Sequence, residues 1–214
     1  MFFHSQPRLL RLILEQEWDS VIFHVAQHPK EARRWSKVLF DSHRETTLLP
    51  LHQACALAPP TTAVLEALLA AYPEAISQIE SYFERTPLHL ACVHGASTDI
   101  LCYLISKYPK AASSTDKMGR TPLHYAICDH APLEAILELL RVSPQSATVQ
   151  DAKGWLPIHV ACRYGATREG LEALIYAYPE SLQVKTIRCG MTPLICAQKF
   201  GILHQHGLLE LLER

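Results

Sequence analysis

Thr121-Pro122-Leu123-His124-Tyr125-Ala126 decides the reading of this sequence, because it recurs. Thr86-Pro87-Leu88-His89-Leu90-Ala91 and Leu49-Pro50-Leu51-His52-Gln53-Ala54 stand upstream of it. Leu156-Pro157-Ile158-His159-Val160-Ala161 and an altered copy, Thr192-Pro193-Leu194-Ile195-Cys196-Ala197, stand downstream. The shared prolines (Pro50, Pro87, Pro122, Pro157 and Pro193) are separated by 37, 35, 35 and 36 residues. A spacing that regular marks stacked copies of one supersecondary unit. A second series keeps the same period: Tyr72-Pro73, Tyr108-Pro109, Ser143-Pro144 and Tyr178-Pro179, with prolines 36, 35 and 35 residues apart. Five residues before each of these prolines stands a leucine: Leu68, Leu104, Leu139 and Leu174.

Within one unit the threonine and proline open a short first helix. Proline presets φ for the first turn, and the threonine hydroxyl can cap it. Leu88, Ala91 and Cys92 then fall on one face. A longer, more apolar second helix follows, with Ile100, Leu101, Leu104 and Ile105 in one copy and Leu133, Ile136, Leu137 and Leu140 in the next. The second proline ends it, since the residue before a proline is driven out of the helical region. Connecting segments such as residues 110–119 then project as turns or fingers toward the next unit. So small a helix pair cannot bury its own apolar face, and its neighbours must do so. Residues 1–45 lack the motif but echo it. Pro7 opens a helix through Leu9, Leu10, Leu12, Ile13 and Leu14; Asp19 serves as N-cap for a second helix, which His28-Pro29 ends. This pair is expected to be a divergent capping repeat.

With 214 residues, a net charge of −1 and 49% apolar residues, the chain suits a folded body and not a disordered one. No stretch approaches the roughly 20 apolar residues of a membrane helix. Leu9-Leu10-Arg11-Leu12-Ile13-Leu14 is interrupted by Arg11 and followed by Glu15 and Glu17, an amphipathic helix and no signal peptide. The near-neutral balance gives no electrostatic case for nucleic acid. Seven cysteines, an odd number, predict reduced thiols in a cytoplasmic or nuclear protein that is not secreted. The start at Met1 and the finish Leu208-Leu209-Glu210-Leu211-Leu212 predict a nearly complete chain with its own C-terminal helix. That helix either caps the stack or leaves an apolar face for dimerisation; a monomer is expected.

The motif and its period resemble ankyrin repeats, strongly over residues 46–214 and weakly over residues 1–45. The resemblance implies an all-α ankyrin-repeat solenoid, in which each unit is a β-turn finger, a short inner helix and a longer outer helix. One continuous domain is expected over residues 1–214, with a capping repeat at 1–45, four repeats at 46–187 and a C-terminal capping repeat at 188–214. Asp116-Lys117-Met118-Gly119-Arg120-Thr121 and Asp151-Ala152-Lys153-Gly154-Trp155-Leu156 are similar to the family's finger, whose glycine takes positive φ at low cost. The chain also departs from the family. Its repeats run to 35–37 residues against about 33, with the extra length around the Tyr-Pro stop. Glu84 and Thr47 stand where finger glycines belong, and Ile195 replaces the motif histidine.

The pairs His52/Cys55, His89/Cys92 and His159/Cys162 place possible zinc ligands on shared helix faces. Stacking would spread them along a line, one repeat apart, whereas zinc needs four converging donors. In the resembled family the histidine ties neighbouring units together and the cysteine position is core. Cys92/His94, Cys128/His130 and His204/His206 have no second half at metal spacing. There is no glycine-rich phosphate loop and no paired-carboxylate motif. The expectation is therefore no enzyme, no metal, no cofactor and no small-molecule substrate.

By the same resemblance, finger tips and the ends of first helices line a concave face that grips a protein partner. Those positions are Tyr82, Phe83 and Arg85; Met118 and Arg120; Lys153 and Trp155; Arg188 and Met191; then His94, Asp129, Arg163, Tyr164, Lys199 and Phe200 on the helices. The excess of Arg and Lys over the single acid favours an acidic or amphipathic segment of the partner. A non-catalytic protein–protein interaction scaffold is thus the leading functional reading. Two readings compete with it: a metal-binding or catalytic protein built on the His/Cys pairs, and a structural spacer module of a larger assembly. Because the leucine before each second proline is read as core, Leu104→Ala should lower unfolding free energy by about 2–5 kcal/mol in urea titration.

Overall fold

The computed structural model describes residues 7–41, 44–57, 60–200 and 208–213. They are mostly helical, and the chain forms two compact units, residues 1–111 and 112–214. In the first unit, α1 (Arg8–Leu14) and α2 (Trp18–Gln27) precede a hairpin of β1 (Ser36–Asp41) and β2 (Arg44–Leu48). Then come α3 (Pro50–Ala56), α4 (Thr62–Ala71), α5 (Pro87–Val93) and α6 (Thr98–Lys107). The second unit holds α7 (Pro122–Cys128), α8 (Leu133–Val142), α9 (Pro157–Tyr164), α10 (Arg168–Ala177), α11 (Pro193–Phe200) and α12 (Leu208–Leu212).

Every motif proline sits at the first position of its short helix, where its missing N–H would have had no partner. The expected pairing of helices is present in both units. In the first, α1 packs on α3 and α3 on α5, while α2 packs on α4 and α4 on α6. In the second, α7 packs on α9 and α9 on α11, with α8 against α10. Leu51, Leu65, Leu68, Leu88, Ile100, Leu101, Leu104 and Ile105 form the buried layer of the first unit, and Leu123, Leu139, Ile158, Leu171 and Leu174 that of the second. Burying one such side chain contributes about 1.5–3 kcal/mol. Leu137, grouped with the core by its sequence, is instead exposed on the outer side of α8.

Each second helix ends as the proline rule requires. Tyr72, Tyr108, Ser143 and Tyr178 leave the helical region (φ −139° to −150°, ψ 73° to 85°). The chain then winds into a 3₁₀ turn: Pro73–Ser77, Pro109–Ser113, Pro144–Thr148 and Pro179–Gln183. A fifth such turn, Pro29–Arg33, follows His28. These turns account for the additional residues per repeat, and they bury only small groups: Ala32, Ala75, Ala111, Ala112, Ser146, Ala147 and Ser181. The connector from Lys110 onward is therefore a 3₁₀ turn first and a finger only from Asp116.

Two local expectations are corrected. Asp19 is not the N-cap of α2; Glu17 is, and Asp19 lies in the first turn, where its carboxylate complements the helix dipole. Thr47 does not occupy a glycine turn. It lies in β2, paired with Lys37, in the register Ser36↔Leu48 to Leu39↔Glu45. A hairpin thus stands where a finger was expected, because Thr46, Thr47 and Leu48 favour extended backbone over a left-handed turn.

The four fingers that do form close on a backbone bond: Glu80 N–H to Arg85 O, Asp116 to Arg120, Asp151 to Trp155 and Thr186 to Met191. In the second unit they are also joined edge to edge, Ala152 N–H to Met118 O at 2.8 Å and Ile187 N–H to Lys153 O at 3.1 Å. Gly154 (φ +77°) sits at the second junction, where an added Cβ would lie 2.5 Å from the Ile187 nitrogen. Gly190 (φ +60°) has nothing within 4 Å of that position. Gly190→Ala should therefore cost about 1–2 kcal/mol, from backbone strain alone. Gly154→Ala should cost clearly more, since the next finger must also move. Equal losses in denaturant titration would show that the junction is slack.

Candidate functional site

The motif histidines His52, His124 and His159 are held at both ring nitrogens, and His89 at Nδ1. Nδ1 of His52, His89, His124 and His159 accepts the N–H of the residue three before it, at 3.2–3.3 Å. The Thr86 and Thr121 hydroxyls lie 2.9 and 3.0 Å from the same nitrogen. Across the ring, Nε2–H donates to a carbonyl beyond the repeat: His52 to Gln78 at 3.1 Å, His124 to Trp155 at 3.0 Å, and His159 to Val184 and Met191, both at 3.1 Å. The Trp155 and Met191 carbonyls are also the ones that close their own fingers. A carbonyl only accepts and a backbone N–H only donates, so the neutral Nε2–H tautomer is fixed.

The fingers are organised by acceptors at their base. Asp116 Oδ1 takes the N–H groups of Met118 (2.8 Å) and Arg120 (3.0 Å). Asp151 Oδ1 takes those of Lys153 (2.8 Å) and Trp155 (3.0 Å). In the first unit Glu80 performs the same task for a finger one residue longer, accepting from Tyr82 (2.7 Å), Phe83 (2.6 Å) and Arg85 (3.3 Å) and from the Thr46 hydroxyl. Its extra methylene spans the additional residue, while Glu84 supplies the positive φ (60°) without glycine. Thr47 N–H donates to Ser81 Oγ at 2.8 Å, so β2 meets this finger much as one finger meets another.

In the second unit a cavity of about 330 Å³ opens between fingers and first helices. It gathers Arg120, Lys153, Trp155, Arg163, Tyr164, Arg188, Met191, Lys199 and Phe200, all picked out in the sequence. His124, Cys128, Val160 and Cys189 complete its wall. The Arg163 guanidinium lies over three rings, with its carbon 5.5 Å from Trp155, 5.4 Å from Tyr164 and 4.6 Å from Phe200. Arg120 is occupied differently: its Nε donates to Asp151 Oδ2 at 3.2 Å, over the Tyr125 ring. No carboxylate lines this cavity among the described residues.

The first unit has its own cavity, about 420 Å³ and largely apolar. Tyr82, Phe83, Arg85 and His94 reach it, together with Val38, Leu39, Thr46 and Leu48 of the hairpin. Arg85 is not an exposed finger residue: it is 7% exposed, and its guanidinium lies 4.3 Å from the Phe83 ring centre. Met191 is likewise buried. Met118 and Asp129 line neither cavity; Met118 acts through its backbone, and Asp129 is the exposed C-cap of α7. The sequence reading missed the hairpin residues and Glu80. Glu80 did leave a signal: a polar acceptor stands five or six positions ahead of four of the five motif starts, as Glu80, Asp116, Asp151 and Thr186.

Residues 51–144 match the family model for ankyrin repeats, in three copies. The chain carries ankyrin repeats. The same helix pair, turn and finger continue beyond the matched stretch through α9 to α11. No curated protein matches the chain. Ankyrin repeats are generally protein–protein interaction modules and are typically non-catalytic. Among the described residues no helix is long and apolar enough to cross a membrane, and no three His, Cys, Asp or Glu side chains converge as metal ligands. Cys55, Cys92, Cys162 and Cys196 are buried and form no disulfide, and burial pushes Cys55 up to about 12 and Cys196 to about 11. Such thiols pack as small apolar groups and are poor nucleophiles.

Burial drives the bridging histidines of this ankyrin-repeat chain toward the neutral form. His52 and His124 fall to about 4, and His159 is lowered as well, against the opposing pull of the carbonyls they contact. Above pH 6.5 folded and unfolded histidines are both neutral. Between about 6.5 and 4 only the unfolded chain takes up the protons, so acid favours unfolding. The urea midpoint should therefore be constant just above pH 7 and fall as pH drops from about 6.5 toward 4. A midpoint independent of pH over this window would contradict the bridging role.

Proposed function

We propose that this ankyrin-repeat chain is a non-catalytic scaffold that binds a protein partner on the face shared by its fingers and first helices. The observation that carries this reading is the cavity of the second unit. Lys153, Arg163, Arg188 and Lys199 surround it with no carboxylate among the described lining residues, and Trp155, Tyr164 and Phe200 supply large contact area beside them. Trp, Tyr and Arg are the side chains that most often dominate binding energy. Lys153, Arg163, Tyr164, Arg188 and Lys199 are exposed and contribute nothing to the buried core of the repeats. An acidic or amphipathic partner segment complements such a surface. Arg120 belongs to the supporting structure of this face, since Asp151 already meets its charge.

We also place the repeat organisation as a capping pair at residues 1–45, repeats over 46–187 and a closing unit at 188–214, in a monomeric protein of the cytoplasm or nucleus. Cysteines that form no disulfide support a reducing compartment. The choice between a capping and a dimerising C-terminal helix turns partly on residues 201–207, which lie outside the described residues.

Affinity capture from the source cell tests the scaffold reading. Wild-type protein should retain its partners, whereas Trp155→Ala/Tyr164→Ala and Arg163→Glu should each recover at least about tenfold less, a loss of about 1.4 kcal/mol. Thermal melts of the variants would stay near wild type, because these side chains lie outside the core. Full recovery by both variants would refute the proposed face and leave a structural spacer as the better account. Zinc in the purified protein by elemental analysis would favour the metal reading instead.

A further inference from the structure

The second unit's cavity concentrates more positive charge than one acidic side chain can meet. Lys153, Arg163, Arg188 and Lys199 converge on about 330 Å³, and the fifth cation, Arg120, is already paired with Asp151. That volume lies at the low end of the roughly 300–1,000 Å³ that encloses a drug-sized group, so it admits a side chain or two and not a long acidic run. The floor is apolar, with Val160 and Met191 buried, which strengthens charge–charge interaction above it.

Arg163 is poised in a particular way. Three aromatic rings lie within 4.6–5.5 Å of its guanidinium carbon. Ring faces attract the cation but accept none of its in-plane N–H groups, which stay available to oxygen acceptors. A carboxylate offers a single negative charge. A phosphomonoester carries about −1.5 to −2 at neutral pH and three strong acceptor oxygens. Arginine matches phosphate oxygens with two parallel bonds, and lysines add point charges around them.

We propose that this cavity binds a phosphorylated side chain of a partner protein, with the phosphoryl group on the Arg163 guanidinium and Lys153, Arg188 and Lys199 around it. An apolar residue flanking the phosphorylated one lies against Tyr164 and Phe200. The proposal rests on the reading of this face as the partner surface and specifies the chemistry that the surface selects.

The test uses full-length protein and four fluorescent probes. Three are degenerate peptide pools that differ only at the centre: phosphoserine, glutamate or serine. The fourth is a phosphatidylcholine vesicle doped with a phosphoinositide. Anisotropy should show the phosphoserine pool binding at least about tenfold tighter than the glutamate pool. Arg163→Ala should abolish that preference with an unchanged melt, and Arg163→Lys should restore part of it. Arg141→Ala, which removes an exposed cation on α8 outside the cavity, should change nothing. The Arg163 Nε–H resonance should shift on adding the phosphoserine pool. Equal binding of the phosphoserine and glutamate pools overturns the phosphate proposal and leaves the acidic-segment reading standing. Failure of both pools to bind wild type overturns both. Tighter binding of the vesicle than of every peptide pool overturns the protein partner in favour of a lipid headgroup.

Discussion

The structure depends on the Nε2–H of buried motif histidines, which at His52, His124 and His159 reaches a carbonyl in or just ahead of the following finger. Imidazole suits this task because it offers an acceptor and a donor on opposite sides of one rigid ring. The acceptor side is claimed by the helix's own N-terminus: the N-cap N–H donates to Nδ1, and proline at the next position presets the backbone for the turn. With Nδ1 taken, the proton must sit on Nε2, aimed outward. The repeated hexapeptide thus specifies a tautomer as well as a turn. Ile195 occupies the same place in α11, and among the described residues no further finger follows for a histidine to hold.

From that bond the rest is positioned in sequence. The finger gripped by His124 is shaped by Asp151, whose one oxygen collects two backbone N–H groups while the other takes Arg120. Arg120 is thereby drawn into support, and Tyr125 binds Asp116 in the same manner at 2.6 Å. What the scaffold leaves unclaimed is a set of cations further along, with Arg163 supported on rings and not on an acid. Two arginines of similar sequence context end with different roles because, among the described residues, Arg120 is paired with a carboxylate and Arg163 lies over aromatic rings.

Much of this was legible in the sequence. The two proline series placed nearly every helix start and stop, and the finger glycines marked Gly119 and Gly154 correctly as positive-φ positions. Nine wall positions of the second unit's cavity are among those that the ankyrin resemblance assigns to finger tips and first-helix ends. The hairpin at β1 and β2 was not legible, since its short strands carry no sustained alternation and one of them was read by homology of position with fingers. Arg85 and Met191 were read as exposed because their register places them at finger ends; a finger one residue longer in each case turns them inward. Position alone could not separate Arg120 from Arg163, which needed the neighbouring carboxylate in three dimensions.

The bonds that link one repeat to the next are short in reach. The described ones join residues 25 to 34 apart, from His159–Val184 to Thr46–Glu80. No long loop has to close before these contacts begin to stabilise the chain, so the entropy of bringing partners together stays small. A topology of that kind has low contact order, and such chains fold on fast timescales for their size. Folding can start wherever a helix pair first finds its neighbour and then spread in either direction, one repeat at a time.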